Sequence, residues 1–171
     1  MEISKSSERR SGLAPVHDAA TRILVLGSFP SPASLAAGQY YGHPQNQFWR
    51  LMGTILGVPL HALPYPERIG HLLRHGIGIW DVYQSCVRPG AMDADIRAGK
   101  ANDFVSLLRQ MPCLVRLCFN GKTAARFAPC LTALAAAGRE VTACVLPSSS
   151  PAYTLSFAQK LERWRKGVSA A

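Results

Sequence analysis

Long apolar runs are missing from this chain. None reaches the roughly 18 residues that a membrane-spanning helix needs, so no transmembrane segment is expected. The opening residues, MEISKSSERRSG, hold no apolar core of the kind a secretion signal requires, and residues 1–18 read as a flexible polar tail before a single domain over 19–167. Paired cysteine spacings are missing too. The five cysteines (Cys86, Cys113, Cys118, Cys130 and Cys144) contain no Cys-x-x-Cys, and metal or iron–sulfur sites need clustered ligands. Buried, reduced thiols in a cytoplasmic setting are expected, with no metal and no other cofactor. There is no Gly-x-Ser-x-Gly, which excludes the familiar serine-nucleophile elbow. There is no complete P-loop either. The GKT at 121–123 requires a Gly five residues before Gly121, and Arg116 stands there.

Acidic residues are scarce: 10 Asp+Glu face 19 Lys+Arg, for a formal charge of +9. That excess favours a polyanionic partner such as nucleic acid, or an acidic membrane surface. A mononucleotide would need only a local basic site. Hydrophobic residues make up 48% of the 171, ordinary for a globular chain of one domain with a proper core.

What is present alternates. RILVLG at 22–27 reads as a first strand. In NQFWRLMGTIL, Phe48, Leu51, Met52 and Ile55 share one helical face, and PYPERIGHLLRHG reads as a second helix. GIGIWDVYQS reads as a second strand ending near Ser85, with a loop over 86–101 carrying Arg88, Asp93, Asp95 and Arg97. A short helix follows, with Asn102 as its N-cap. CLVRLCFN and EVTACVLP read as the third and fourth strands, separated by a helix over 121–138 that bends or breaks at Pro129. A terminal helix follows SSSPAYT. The alternation predicts an α/β fold with a parallel sheet between helices and right-handed crossovers. Three loops, 27–49, 81–101 and 148–153, should then open on the same edge of the sheet, where such folds bind ligands.

The first of these loops carries the most unusual chemistry. Twenty-odd residues rich in Tyr, His, Asn, Phe and Trp are a pocket wall rather than slack chain. Tyr41 sits between Gly38 and Gly42, where an aromatic can face a flat ring, or it is simply core. His43 is a base or a turn residue. Asn46 is a helix cap or an amide that holds a water; it is neutral and no strong base. The run Ser148, Ser149, Ser150, Pro151 suits a tight turn that holds an anion, which against nucleic acid is a backbone phosphate. Lys122, at a helix start, meets a phosphate or is solvated.

Four segments taken in order, LGSFP (26–30), YYGHPQNQFW (40–49), GIGIWDVYQSC (76–86) and LPSSSPAYT (146–154), resemble the uracil-DNA glycosylase superfamily, in its hypoxanthine-DNA glycosylase branch. The resemblance spans roughly residues 20–167. It implies a three-layer αβα sandwich around a four-stranded parallel sheet. It also implies a monofunctional DNA glycosylase that removes deaminated bases, hypoxanthine first, from double-stranded DNA, with no membrane and no obligate protein partner. Uracil removal, a non-catalytic DNA-binding protein on the same fold and, against the charge, a small-molecule nucleotide binder or hydrolase on a similar sheet are the alternatives. In better-known branches a Gly-x-Asp-Pro or Gly-x-Asn-Pro motif after the first strand positions the water; here Phe29 holds that place. Ser148 stands where uracil enzymes often have His. The branch resembled instead places its catalytic amide at the position of Asn46, and a related branch stacks the base on an aromatic at the position of Tyr41. Asp81 takes the place of a base-reading Asn; it reads the ring N–H of hypoxanthine or serves as a structural cap. Backbone amides near Ser28 and Phe29 are expected at the base edge. No lysine lies inside these motifs, so no Schiff-base lyase step is expected.

Overall fold

The structure, a computed structural model, describes residues 8–169. Its strands, among the described residues, are β1 (Arg9–Ser11), β2 (Ile23–Gly27), β3 (Ile77–Asp81), β4 (Tyr83–Val87), β5 (Arg97–Ala101), β6 (Arg116–Asn120) and β7 (Thr142–Leu146). The α-helices are α1 (Pro32–Ala37), α2 (Phe48–Leu56), α3 (Tyr65–Arg74), α4 (Phe104–Arg109), α5 (Lys122–Ala125), α6 (Ala128–Ala135) and α7 (Phe157–Val168). Strands β3-β2-β6-β7, in that order, form a four-stranded parallel sheet, as expected. Every residue of β2 is buried, so both faces of the sheet are covered there. That is why its sequence is continuously apolar rather than alternating. Helices α2 and α7 pack together, with the Phe48 and Trp164 rings edge to face at 5.8 Å between centroids.

Local chemistry sets the element ends. The Ser31 side chain caps α1 by accepting from the Ser34 N–H, with Pro32 in the first turn. Helix α2 stops at Gly57, whose φ of +70° favours glycine. Ser156 and Gln159 cap the start of α7 reciprocally. The helical pattern after Gly121 breaks between α5 and α6, and Pro129 falls in the first turn of α6, where its missing N–H costs nothing.

Several expectations are corrected. Of the expected tail over 1–18, residues 1–7 lie outside the described residues. The rest belongs to the fold: β1 pairs antiparallel with β4, and Val16 bridges Ile79. The second strand ends at Asp81, not Ser85. Beyond Val82 the chain leaves the parallel sheet, and β4 joins β1 and β5 in a separate antiparallel sheet of order β1-β4-β5. The expected loops 27–49 and 86–101 contain α1 and β5. Helix α4 is capped by Asp103, whose carboxylate accepts from the Ser106 N–H. Asn102 instead donates from its side chain to the Asp81 carbonyl at 2.7 Å. Cys86 and Cys118 are buried and Cys144 is half-buried, but Cys113 and Cys130 are exposed, on a turn and on the outer side of α6. Among the described residues no helix is long and apolar enough to cross a membrane.

The segment 12–16 is a strap across the edge of β3. The Tyr40 hydroxyl lies 3.1 Å and 2.8 Å from the carbonyl oxygens of Leu13 and Ala14, and Trp80 Nε1–H donates to Leu13 O at 3.2 Å. A Cβ added at Gly78 would sit 2.7 Å from the Val16 carbonyl oxygen, which is backbone and cannot swing aside. Gly78→Ala is therefore expected to destabilise the fold by about 1–3 kcal/mol in denaturant unfolding. An unchanged midpoint would mean that the strap is not held where it lies.

Candidate active site

The parallel sheet delivers β2, β3, β6 and β7 to one carboxyl edge, and a cavity of about 300 Å³ opens there. The three long loops all contribute to it. From the first come Gly27, Ser28, Phe29, Tyr41 and Asn46; from the second, Asp81, Arg88, Met92 and Asp93; from the third, Ser148, Ser149, Ser150 and Tyr153. Asn120, at the end of β6, completes the lining. Of the residues singled out in the sequence, Ser28, Phe29, Tyr41, Asn46, Asp81, Ser148, Ser149 and Ser150 therefore meet in one place. Lys122 does not: it is exposed at the start of α5 and outside the cavity lining.

Asp81 is the most constrained group. It is 5% exposed at the end of β3, beside Gly27 across the parallel ladder. A Cβ at Gly27 would lie 2.6 Å from Asp81 Oδ1 and 3.3 Å from the Tyr41 hydroxyl, so only glycine leaves room for this carboxyl. Oδ2 is buried without a hydrogen-bond partner in the protein. Burial, reinforced by the nearby negative charge of Asp93 and opposed by Arg88, pushes the Asp81 pKa up from 3.8 to about 7.

Around it the loops are tied down. Ser28 Oγ–H donates to Asp93 Oδ1 at 2.6 Å, and Arg88 Nη2–H donates to the Pro30 carbonyl at 2.6 Å. The Arg88 guanidinium also lies over the Phe29 ring, 5.3 Å from its centroid. Ser28 and Phe29 are buried, at 8% and 7% exposure.

Tyr41 has a φ of +54°, a conformation unusual for a non-glycine residue. Its ring stacks on Phe48 with centroids 4.0 Å apart and planes 18° from parallel. Its hydroxyl accepts from Asn120 Nδ2–H at 3.2 Å, and burial beside Asp81 raises its pKa. Phe48 and Trp49 are core, as expected for residues opening a helix.

Asn46 is not the cap of α2: Gln47 holds that position, and Asn46, one residue earlier, makes an Asx-type turn instead. Its Oδ1 accepts from the Phe48 N–H at 3.0 Å. Since an N–H can only donate, this contact fixes the amide orientation. The oxygen keeps a second lone pair, and the residue lines the cavity. His43 is a turn residue: its Nδ1 accepts from the Gln45 N–H at 3.1 Å, and it is exposed outside the cavity.

Asn120 is the residue that sequence reasoning missed. Its side chain donates to Tyr41 Oη and to Ser149 Oγ (2.9 Å) and accepts from the Ser149 N–H (2.9 Å), joining the first and third loops. Its signal was a polar residue closing the apolar run CLVRLCFN at the same sheet edge. Ser149 is accordingly buried, at 1% exposure, while Ser148 and Ser150 are half-buried. No group of three or more His, Cys, Asp or Glu gathers as a metal site among the described residues.

This geometry has relatives. A family model of the Uracil DNA glycosylase superfamily matches residues 14–168. A Methanosarcina barkeri protein named hypoxanthine DNA glycosylase is 39% identical over 156 residues, covering 91% of this chain and 96% of its own. A Methanosarcina acetivorans protein of the same name is 41% identical over 143 residues, covering 84% and 87%. A solution NMR structure from Methanosarcina acetivorans, described as a candidate uracil DNA glycosylase, superposes with a TM-score of 0.82 at 37% identity, covering 94% of this chain and 97% of that one. The chain belongs to the uracil DNA glycosylase superfamily.

The raised pKa of Asp81 has a stability consequence of definite sign. Between about pH 4 and pH 7 the folded protein keeps a proton that the unfolded chain has lost, so stability falls as pH rises through that window. Asp81→Asn removes the titration. It is expected to raise the melting temperature at pH 8 relative to wild type and to change it little at pH 4, with a limiting gain of about 4 kcal/mol. A gain independent of pH would show that Asp81 is not buried as described.

Proposed function

We propose that this DNA glycosylase hydrolyses the N-glycosidic bond of deaminated bases in double-stranded DNA, hypoxanthine first, as a step of base excision repair. The observation that carries the reading is the buried, unpartnered Asp81 carboxyl facing a cavity that also holds Asn46 and Tyr41. Hypoxanthine presents a ring N–H where adenine presents a lone pair. An ionised Asp81 accepts from the former and repels the latter, and burial of the oxygen makes the difference large.

The nucleotide is flipped out of the stack into the cavity. Phe48 covers one face of Tyr41, and the other face receives the base. Backbone amides near Ser28 and Phe29 complete the edge. As the bond from C1′ to the base breaks, its electron pair leaves with the base, which takes up a proton. Asn46 Oδ1, held by the Phe48 amide, orients a water whose oxygen bonds to C1′ and whose proton passes to solvent. The products are the free base and an abasic sugar. Ser148 and Ser150 grip a backbone phosphate, Ser149 fixes their loop, and the excess positive charge, Lys122 included, holds the duplex.

Base release from duplexes carrying one hypoxanthine, uracil or xanthine, read by alkaline strand cleavage, tests this. Cleavage at hypoxanthine is expected. Asn46→Ala is expected to lose it by at least about 100-fold while retaining duplex binding. Cleavage only at uracil would move the protein to another branch, and wild-type activity in Asn46→Ala would sink the assigned mechanism. The carboxylate form of Asp81 is the one that accepts the ring N–H, so cleavage at hypoxanthine should rise with pH through about 7. That rise is expected to vanish in Asp81→Asn, with preference shifting toward uracil. A profile unchanged in Asp81→Asn would leave Asp81 a structural role.

A further inference from the structure

Lys160 is a buried cation that the chemistry above does not use. It sits early in α7 and is 1% exposed. Its Nζ donates to the Ser150 carbonyl at 3.1 Å and lies 5.6 Å from the centroid of the Tyr153 ring. Among the described residues no carboxylate reaches it, and the ion pair of its helix joins Lys166 to Glu162 instead. A buried ammonium without a counter-ion costs stability, and an apolar side chain of similar volume would avoid that cost.

The loop above it shows what the charge faces. Three donors take carbonyls of this loop: Trp164 Nε1–H donates to Pro147 O (2.8 Å), the Gln47 N–H to Ser149 O (3.0 Å), and Lys160 to Ser150 O. The hydroxyls are turned the other way in polarity. Ser148 Oγ accepts from the Ser150 N–H and Ser150 Oγ from the Ala152 N–H, so each hydroxyl keeps its own hydrogen for an outside acceptor. The Ser150 carbonyl also accepts from the Tyr153 N–H at 3.1 Å, so the turn closes without the lysine. A donor-rich surface backed at once by an unpaired positive charge is complementary to an anion.

We infer that the missing counter-ion of Lys160 is a DNA backbone phosphate seated on the Ser148–Ser150 turn, so that the protein carries an uncompensated internal charge that only the duplex neutralises. The inference rests on the reading of that turn as a phosphate grip, and it makes Lys160 a positioning residue that acts through the turn.

The test compares the wild-type chain with Lys160→Met, Lys160→Gln and the Ser148→Ala/Ser150→Ala double variant, each titrated with a deoxyinosine duplex across a range of salt. Lys160→Met and Lys160→Gln are both expected to reduce the slope of log affinity against log salt by about one, with melting temperatures equal to or above wild type. Gln keeps a donor for the Ser150 carbonyl, so a lysine that only holds the turn would leave the Gln slope at the wild-type value, and that result overturns the inference. If the double variant weakens binding while both Lys160 variants keep the wild-type slope, the phosphate grip stands and the inference alone falls. If the double variant binds as wild type, the grip falls and takes the inference with it.

Discussion

Gly27 and Asp81 lie side by side on neighbouring parallel strands, and everything at the sheet edge follows from how closely they meet. Parallel pairing fixes which residues end together. With glycine on one strand, a carboxyl on the other can occupy the space that a side chain at position 27 would fill, close to the Tyr41 hydroxyl. Buried there, it lacks water and lacks a cation close enough to cancel its charge, so its proton affinity rises. Keeping this carboxyl ionised at neutral pH therefore costs stability. Asn102 takes the Asp81 carbonyl and Asn120 takes the Tyr41 hydroxyl, so both neighbours of the carboxyl are fixed and the carboxyl oxygen itself is left free.

The same edge accounts for what was legible in advance. Buried parallel strands are apolar throughout, and ILVLG, GIGIWD and LCFN stand out from polar surroundings. Once they alternate with helices, topology alone sends the loops after them to one side. The small antiparallel sheet was not legible because its strands carry no such signal. RRS and RAGKA are exposed along their whole length, and their pairing with YQSCV depends on a distant partner rather than on a pattern of their own. The change at Val82 is hidden for a related reason: apolar residues continue through it, while the backbone turns from one sheet to the other. Asn120 was passed over because one polar residue at a strand end carries no spacing; only the fold brings it to Tyr41 and Ser149.

Lys160 and Asp81 are two unusual buried groups of opposite charge, Asp81 lining the cavity and Lys160 bonded to the Ser150 carbonyl of the third loop. Each is a buried side chain whose charge the protein leaves uncompensated, and each faces a loop that the substrate is expected to touch. Opposite signs suit opposite parts of a nucleotide: an acceptor for a ring N–H, a cation behind a phosphate. Neither was evident from composition, because the net charge of +9 reports the whole surface and says nothing of which charges are buried.

Phe29, where better-known branches have a water-holding Asp or Asn, is bound into the structure by its neighbours. The residue after Ser28 is buried, and its ring lies under the Arg88 guanidinium, which in turn holds the Pro30 carbonyl. That position is committed to locking the first loop against the second. A polar side chain there would lose the ring contact and would need a partner of its own. Asn46 has no such conflict. It sits where the loop becomes α2, its oxygen is oriented by the Phe48 amide, and Phe48 is held in turn by Tyr41 and Trp164. An amide used for positioning must itself be fixed, and the start of a packed helix fixes it better than a loop. On the proposed reading, in which Asn46 holds the water, the strand end is left to brace the cavity while the amide is oriented just before α2.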